Sequence, residues 1–152
     1  MIKVNVEVNN KPWHTKIQKP KKYLNLKLKK ISKKISFFKS KNMTFTILLT
    51  NSTQMQKLNK KFRNFNKSTD VLSFPFISSR KTKLIRDKMV YIGDIAVCYE
   101  ILNLRSKKSN FFLEFDKMWV HGFLHLLGYK HIKDKDYLIM NKLEKKILNL
   151  FN

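Results

Sequence analysis

Three of the four histidines in this 152-residue chain fall within eleven residues, as His121-Gly-Phe-Leu-His125-Leu-Leu-Gly128-Tyr-Lys-His131. His121 and His125 are four apart, which on a helix puts both imidazoles on one face, their Cβ atoms roughly 6 Å apart. Gly128 stands just past the last periodic apolar position, where a glycine ends a helix in a left-handed turn. The chain then doubles back, and His131 is expected to reach the ion that the first two share. Three imidazoles leave one vertex of a tetrahedral Zn²⁺ open, the mark of a catalytic rather than a structural site. Zinc is the expected metal, although imidazole also suits nickel, copper and iron.

The spacing H-x3-H-x5-H matches the metzincin protease pattern except at one position. Those proteases carry Glu directly after the first histidine as general base, and this chain has Gly122. The ligand frame is present without the protease base. What remains is Lewis acidity and an acidified water, chemistry that suits a phosphodiester. Such a site needs a cation, and Arg63 is the candidate catalytic residue. It is one of only four arginines among the 33 basic residues, so a planar bidentate donor is called for there. Asp70 reads equally as a partner that orients an imidazole and as a turn residue. Gly93-Asp94 inside an apolar run reads as a bulge with a buried, hydrogen-bonded carboxylate.

The elements that must hold these residues are legible from periodicity. Ile2, Val4, Val6 and Val8 alternate with polar residues, a half-buried strand. Residues 13 to 20 read as a loop or an irregular start to the next element. Leu24, Leu28, Ile31 and Ile35 mark an amphipathic helix with a lysine-rich outer face. Residues 43 to 50 form a second strand, and Ser52 is expected to cap a helix whose inner face is Met55, Leu58 and Phe62. Val71 to Phe76 make a third strand, which Pro75 marks as an edge strand or one that ends early. Residues 78 to 89 read as a basic, mobile loop or lid. A fourth strand runs from Val90 to Tyr99, and a short helix follows at 100 to 106. Asn110 caps the long, apolar histidine helix at 111 to 127. Asp134 or Asp136 starts a last helix that packs through Tyr137, Met140, Leu143, Ile147 and Phe151. Four strands interleaved with about five helices predict one α+β domain over residues 1–152, a mixed sheet carrying a zincin-like metal-binding helix.

The composition, 43% hydrophobic with 12 Phe, supplies a real core. No apolar run reaches the roughly 18 residues of a membrane span, and the alternating start reads as a strand rather than a signal peptide. The single Cys98 excludes an internal disulfide framework, fits a reducing cytoplasm, and reads as a buried, inert thiol. The net charge of +23 points to a polyanionic partner. The chain is also crowded with Asn, Ile and Phe, as an AT-rich genome imposes, so part of the lysine excess reads as drift on solvated faces.

Three blocks together resemble the YbeY endoribonuclease family. His121 to His131 resembles its H-G-x-L-H-L-x-G-Y-D-H signature. Leu58-Asn59-Lys60-Lys61-Phe62-Arg63, with Ser68 to Pro75, resembles its L-N-x-x-[FY]-R and T-D-V-L-S-F-P blocks. Ile92 to Ile95 resembles its G-D-I strand. Order, spacing and length agree, so the resemblance covers essentially the whole chain. It implies a bacterial or organellar cytoplasmic enzyme with one Zn²⁺ on His121, His125 and His131. It further implies a metal-dependent endoribonuclease preferring single strands, which matures precursor rRNA of the small subunit at its 3′ end and serves late ribosome quality control. The small ribosomal subunit and its proteins are the implied partners. Arg63 matches the arginine that the family is thought to use near the scissile phosphate. Lys130 departs from the family, which has Asp there; a cation beside the third ligand weakens metal affinity and favours a phosphate. Two other readings stay open: a ribosome-assembly factor with a structural metal, and a metal hydrolase of another substrate, peptides included. If the charge is functional, affinity for single-stranded RNA falls steeply between low and physiological salt in a filter-binding or anisotropy titration; a flat response would assign the lysines to composition alone.

Overall fold

The computed structural model describes residues 1–76 and 88–152. All but the last two residues of the segment read as a loop at 78 to 89 lie outside these. In chain order the elements are β1 (Ile2–Val8), α1 (Pro12–Lys16), α2 (Pro20–Lys34), α3 (Ser36–Lys39), β2 (Met43–Thr50), α4 (Ser52–Arg63), β3 (Val71–Pro75), β4 (Val90–Cys98), α5 (Tyr99–Ser106), α6 (Phe111–Leu126) and α7 (Asp134–Leu148). The strands form one sheet in the order β1-β2-β4-β3. β1, β2 and β4 are parallel, and β3 joins antiparallel at the edge. The architecture is the expected α+β one with a four-stranded mixed sheet.

Period-two burial divides the sheet into two faces. Phe45, Ile47 and Leu49 of β2 are fully buried on one face, where Leu24, Leu28 and Ile31 of α2 and Phe115, Trp119 and Phe123 of α6 close the main core. On the other face α4 covers a smaller cluster of Met55, Leu72, Ala96 and Cys98. The buried thiol of Cys98 is as expected. Burial of this kind is worth roughly 1.5–3 kcal/mol per large apolar side chain, which makes the sheet a stiff floor for α6.

A buried carboxylate ties the two helices of the main face together. Asp116 of α6, 4% exposed, accepts from Lys27 Nζ at 2.6 Å, Trp119 Nε1 at 2.8 Å and the Tyr23 hydroxyl at 3.0 and 3.1 Å. Burial, together with this carboxylate, holds the Tyr23 phenol far above its ordinary pKa, so it stays a donor. A charge so deeply buried persists only with such partners.

Several elements differ from the sequence reading. Residues 12 to 16 are helical rather than a loop. Pro12 is preset for a first helical turn, and Trp13 is buried with its Nε1 donating to the Thr50 carbonyl at 2.9 Å. With α3 this brings the helices to seven among the described residues. Asn51, not Ser52, caps α4, its side chain accepting from the Gln54 amide at 2.9 Å. Phe62 is 57% exposed, and the buried inner positions of α4 are Met55 and Asn59. In α7 Tyr137 is also exposed, whereas Met140 and Ile147 are buried.

The expected bulge is present in β4. Thr44 pairs with Tyr91 and Thr46 with Asp94, so β4 holds one extra residue there. Gly93 takes φ +134°, and a Cβ would stand 2.2 Å from the Phe74 carbonyl oxygen. Asp94 is exposed rather than buried, its carboxylate held by the Tyr91 hydroxyl. Gly93→Ala is expected to lower unfolding free energy by about 3 kcal/mol in urea denaturation, from backbone strain and the clash together; a loss below about 1 kcal/mol would mean that the bulge relaxes freely.

Candidate metal centre

The histidine helix is anchored at both ends. At its start the Asn110 side chain accepts from the amides of Phe112 (2.9 Å) and Leu113 (3.2 Å), as expected of that cap. At its end Gly128 adopts φ +89°. The Gly128 amide donates to the His125 carbonyl at 2.9 Å and the Tyr129 amide to the Leu124 carbonyl at 3.1 Å. These two bonds are a Schellman turn. It reverses the chain, and His131 returns toward the helix face that carries His121 and His125.

The turn does a second job. The Tyr129 carbonyl it exposes lies 2.8 Å from His125 Nδ1. A carbonyl only accepts, so Nδ1 carries the proton and the lone pair of the neutral ring sits on Nε2. His121 Nδ1 faces the Glu144 carboxylate of α7 at 3.4 Å, which sets the same tautomer. The two Nε2 atoms then face one another at 3.0 Å. At that distance the two nitrogens must share a proton or a metal cation. Nitrogens at about 2.0–2.1 Å from one tetrahedral zinc would stand roughly 3.4 Å apart. One ring nitrogen from each of His121, His125 and His131 lies within 4.8 Å of the others. The donor set therefore fits a divalent transition metal. Burial pushes the His125 imidazole below its ordinary pKa; the Tyr129 carbonyl opposes this, and His121, His131 and Arg63 reinforce it. A ring held neutral is ready to ligate.

The histidines open onto a cleft of about 280 Å³ lined also by Arg63, Thr69, Asp70, Val71, Ser73, Met118 and Glu144. Larger hollows of about 640 Å³ run along α2 between lysines and aliphatic side chains, away from these groups. Arg63 is the last residue of α4, which ends in a left-handed turn at Asn64 with φ 59°. Among the described residues it has no ion pair or hydrogen bond, so its guanidinium is available to a ligand. Arg105, by contrast, pairs with Asp70 at 2.6 Å. Asp70 also accepts from the Val71 amide at 2.8 Å and from the Thr69 hydroxyl at 3.2 Å. Burial raises its pKa, but these bonds and the Arg105 charge outweigh that and lower it. Of the two readings of Asp70, the turn is the one seen, with an ion pair added; its hydrogen bonds among the described residues go to Thr69, Val71 and Arg105 rather than to an imidazole. Asp94 does not line the cleft. Lys130 is exposed beside His131.

The position after the first histidine is closed to a side chain. A Cβ on Gly122 would meet Ile95 Cγ2 at 2.9 Å and Ser73 Oγ at 3.1 Å, and Ser73 donates to the Gly122 carbonyl at 3.2 Å. The glycine lets α6 press onto β3 and β4, and no base can act from there.

Comparison with known proteins agrees with this frame. Residues 6–152 match the family model described as Endoribonuclease YbeY. An Endoribonuclease YbeY of Pelagibacter ubique is 45% identical over 151 residues, 97% of this chain and 94% of that protein. One of Caldicellulosiruptor bescii is 34% identical over 119 residues, 74% of this chain and 75% of its own length. The chain belongs to the YbeY endoribonuclease family. The solution structure of a Thermotoga maritima protein matches with a TM-score of 0.62 at 25% identity, covering 99% of this chain and 88% of that one.

Glu144 is the site residue that sequence reasoning missed. It lies between Met140 and Ile147 on the inward stripe of α7, where an acidic residue at an apolar position was the available signal. Gly128→Ala forces a side chain into the left-handed region, a penalty of about 1–2 kcal/mol, and loosens the turn that sets His125. Zinc titration calorimetry is expected to show roughly 10-fold weaker binding for this variant, and 10- to 100-fold weaker for Glu144→Ala. Unchanged affinity in both would mean that neither contact orients a ligand.

Proposed function

We propose that this chain is a zinc-dependent endoribonuclease that cuts single-stranded RNA, with one Zn²⁺ held by His121, His125 and His131. The observation that carries this is the convergence of the Nε2 atoms of His121 and His125, with His131 beside them, in the cleft that Arg63 lines. When bound, the ion supplies Lewis acidity for a phosphoryl oxygen and acidifies water at neutral pH.

The chain's own residues do the rest. Tyr129 and Glu144 orient two of the imidazoles, so binding calls for small shifts of the rings rather than a new arrangement. Arg63 is placed to grip the non-bridging oxygens of a phosphodiester, where charge grows as the bond breaks. The Asp70–Arg105 pair keeps the far wall of the cleft neutral overall, leaving Arg63 as the free cation among the described lining residues. A net charge of +23 draws a polyanion toward the protein. Gly122 argues against a peptide substrate. A set of three histidine donors argues against a purely structural metal, since closed structural zinc sites take four protein ligands.

Within this reading the substrate is precursor rRNA of the small ribosomal subunit, cut toward its 3′ end, and the cytoplasm is the compartment where it acts. No helix among the described residues is long and apolar enough to cross a membrane.

The direct test is cleavage of a single-stranded RNA oligonucleotide by the zinc-loaded protein beside its His121→Ala variant. The wild type is expected to cut and the variant to lose at least 10³-fold in rate, while Arg63→Ala retains zinc and loses about 10²-fold or more. Equal cleavage by His121→Ala would remove the histidines from the chemistry. Absence of cleavage with full metal loading would favour the assembly-factor reading.

A further inference from the structure

Phe62 and Phe65 flank the cleft arginine and are 57% and 58% exposed, although the chain buries Phe38, Phe45, Phe115 and Phe123 completely. The segment that displays them is tightly built. Asn59, 4% exposed, donates from its side chain to the Lys67 carbonyl at 2.9 Å and accepts the Phe65 amide on its own carbonyl at 3.3 Å. The Asn64 amide closes the helix end on the Lys60 carbonyl at 3.2 Å. The Phe62 ring rests edge-on against Phe74 at 5.1 Å between centroids. Two apolar rings held out in water by a buried amide are displayed, not left over.

Both rings also carry a cation. Lys61 Nζ lies 5.2 Å from the Phe62 centroid and Lys67 Nζ 5.9 Å from that of Phe65. Exposed aromatics interleaved with unpaired positive charge are the surface that single-stranded nucleic acid recognises. Bases stack on the rings and phosphates meet the cations. A duplex keeps its base faces stacked inside the helix and cannot use such rings.

We infer that Phe62 and Phe65 form a stacking platform for two unpaired bases of a single-stranded RNA, with Arg63, between them in the chain, taking the phosphate that enters the histidine cleft. This deepens the single-stranded RNA reading and rests on it. The platform makes the cleft select unpaired RNA without reading its sequence, since every base has a π-face.

The test uses Phe65→Trp. Trp13 and Trp119 are 1% and 0% exposed, so an indole at position 65 is the solvent-exposed emitter. The full-length protein is titrated in chelator, which stops cleavage, with a short unstructured RNA, the same RNA annealed to its complement, and inorganic polyphosphate. Emission is followed beside the anisotropy of labelled RNA. The single strand is expected to quench the exposed indole in step with binding, and the duplex and polyphosphate to leave it unchanged. Phe62→Ala and Phe65→Ala each weaken single-strand affinity about 10-fold, Phe65→Leu does the same, and Phe65→Tyr restores it. Binding by anisotropy with an unperturbed indole and unweakened alanine variants overturns the platform, leaves the RNA reading standing, and assigns the rings to a protein partner. Equal quenching by polyphosphate overturns it in favour of charge alone. No binding of RNA by anisotropy overturns the RNA reading itself, and the platform with it.

Discussion

Two imidazole nitrogens that face each other across 3.0 Å are the constraint from which the functional account follows. Changing tautomer would cost His125 its Nδ1 bond and His121 its Nδ1 contact. His125 is bound through Nδ1 to a carbonyl and His121 faces a carboxylate through Nδ1. Burial and neighbouring positive groups oppose protonation of His125. A divalent cation satisfies both lone pairs and the third imidazole at once. The cluster could thus hold a metal, oriented by hydrogen bonds of the kind that surround histidine metal sites.

The rest of the fold can be understood as what keeps that geometry stiff. α6 is buried along most of its length, its Asp116 is tied to α2, and Gly122 lets it sit directly on the strands. β3 and the end of α4 approach from the sheet edge and supply Val71, Ser73 and Arg63 to the cleft wall. α7 returns across α6 with Glu144. Three further elements therefore converge on three histidines that the sequence holds close together.

Much of this was legible because it is local. The histidine spacing, the glycine that ends α6, the Asn110 cap, the edge position implied by Pro75 and the bulge at Gly93 each follow from a few adjacent residues. The misses are cases where tertiary contact decided. Residues 12 to 16 became helical because Trp13 has a buried seat against Phe111 and Phe115. Phe62 is exposed where burial was expected, and Asn59 is buried because its amide holds the 64 to 67 segment. Glu144 lies 23 residues from the imidazole it faces, and no local pattern links them. The Tyr129 carbonyl was invisible for a different reason: a backbone atom has no signature in residue type.

Anomalous diffraction at the zinc edge from a crystal grown with equimolar zinc addresses the central claim most directly. The account predicts one strong peak, at about 2.0–2.1 Å from Nε2 of both His121 and His125 and from a ring nitrogen of His131. A peak elsewhere, or no peak with the two Nε2 atoms still 3.0 Å apart, would contradict it.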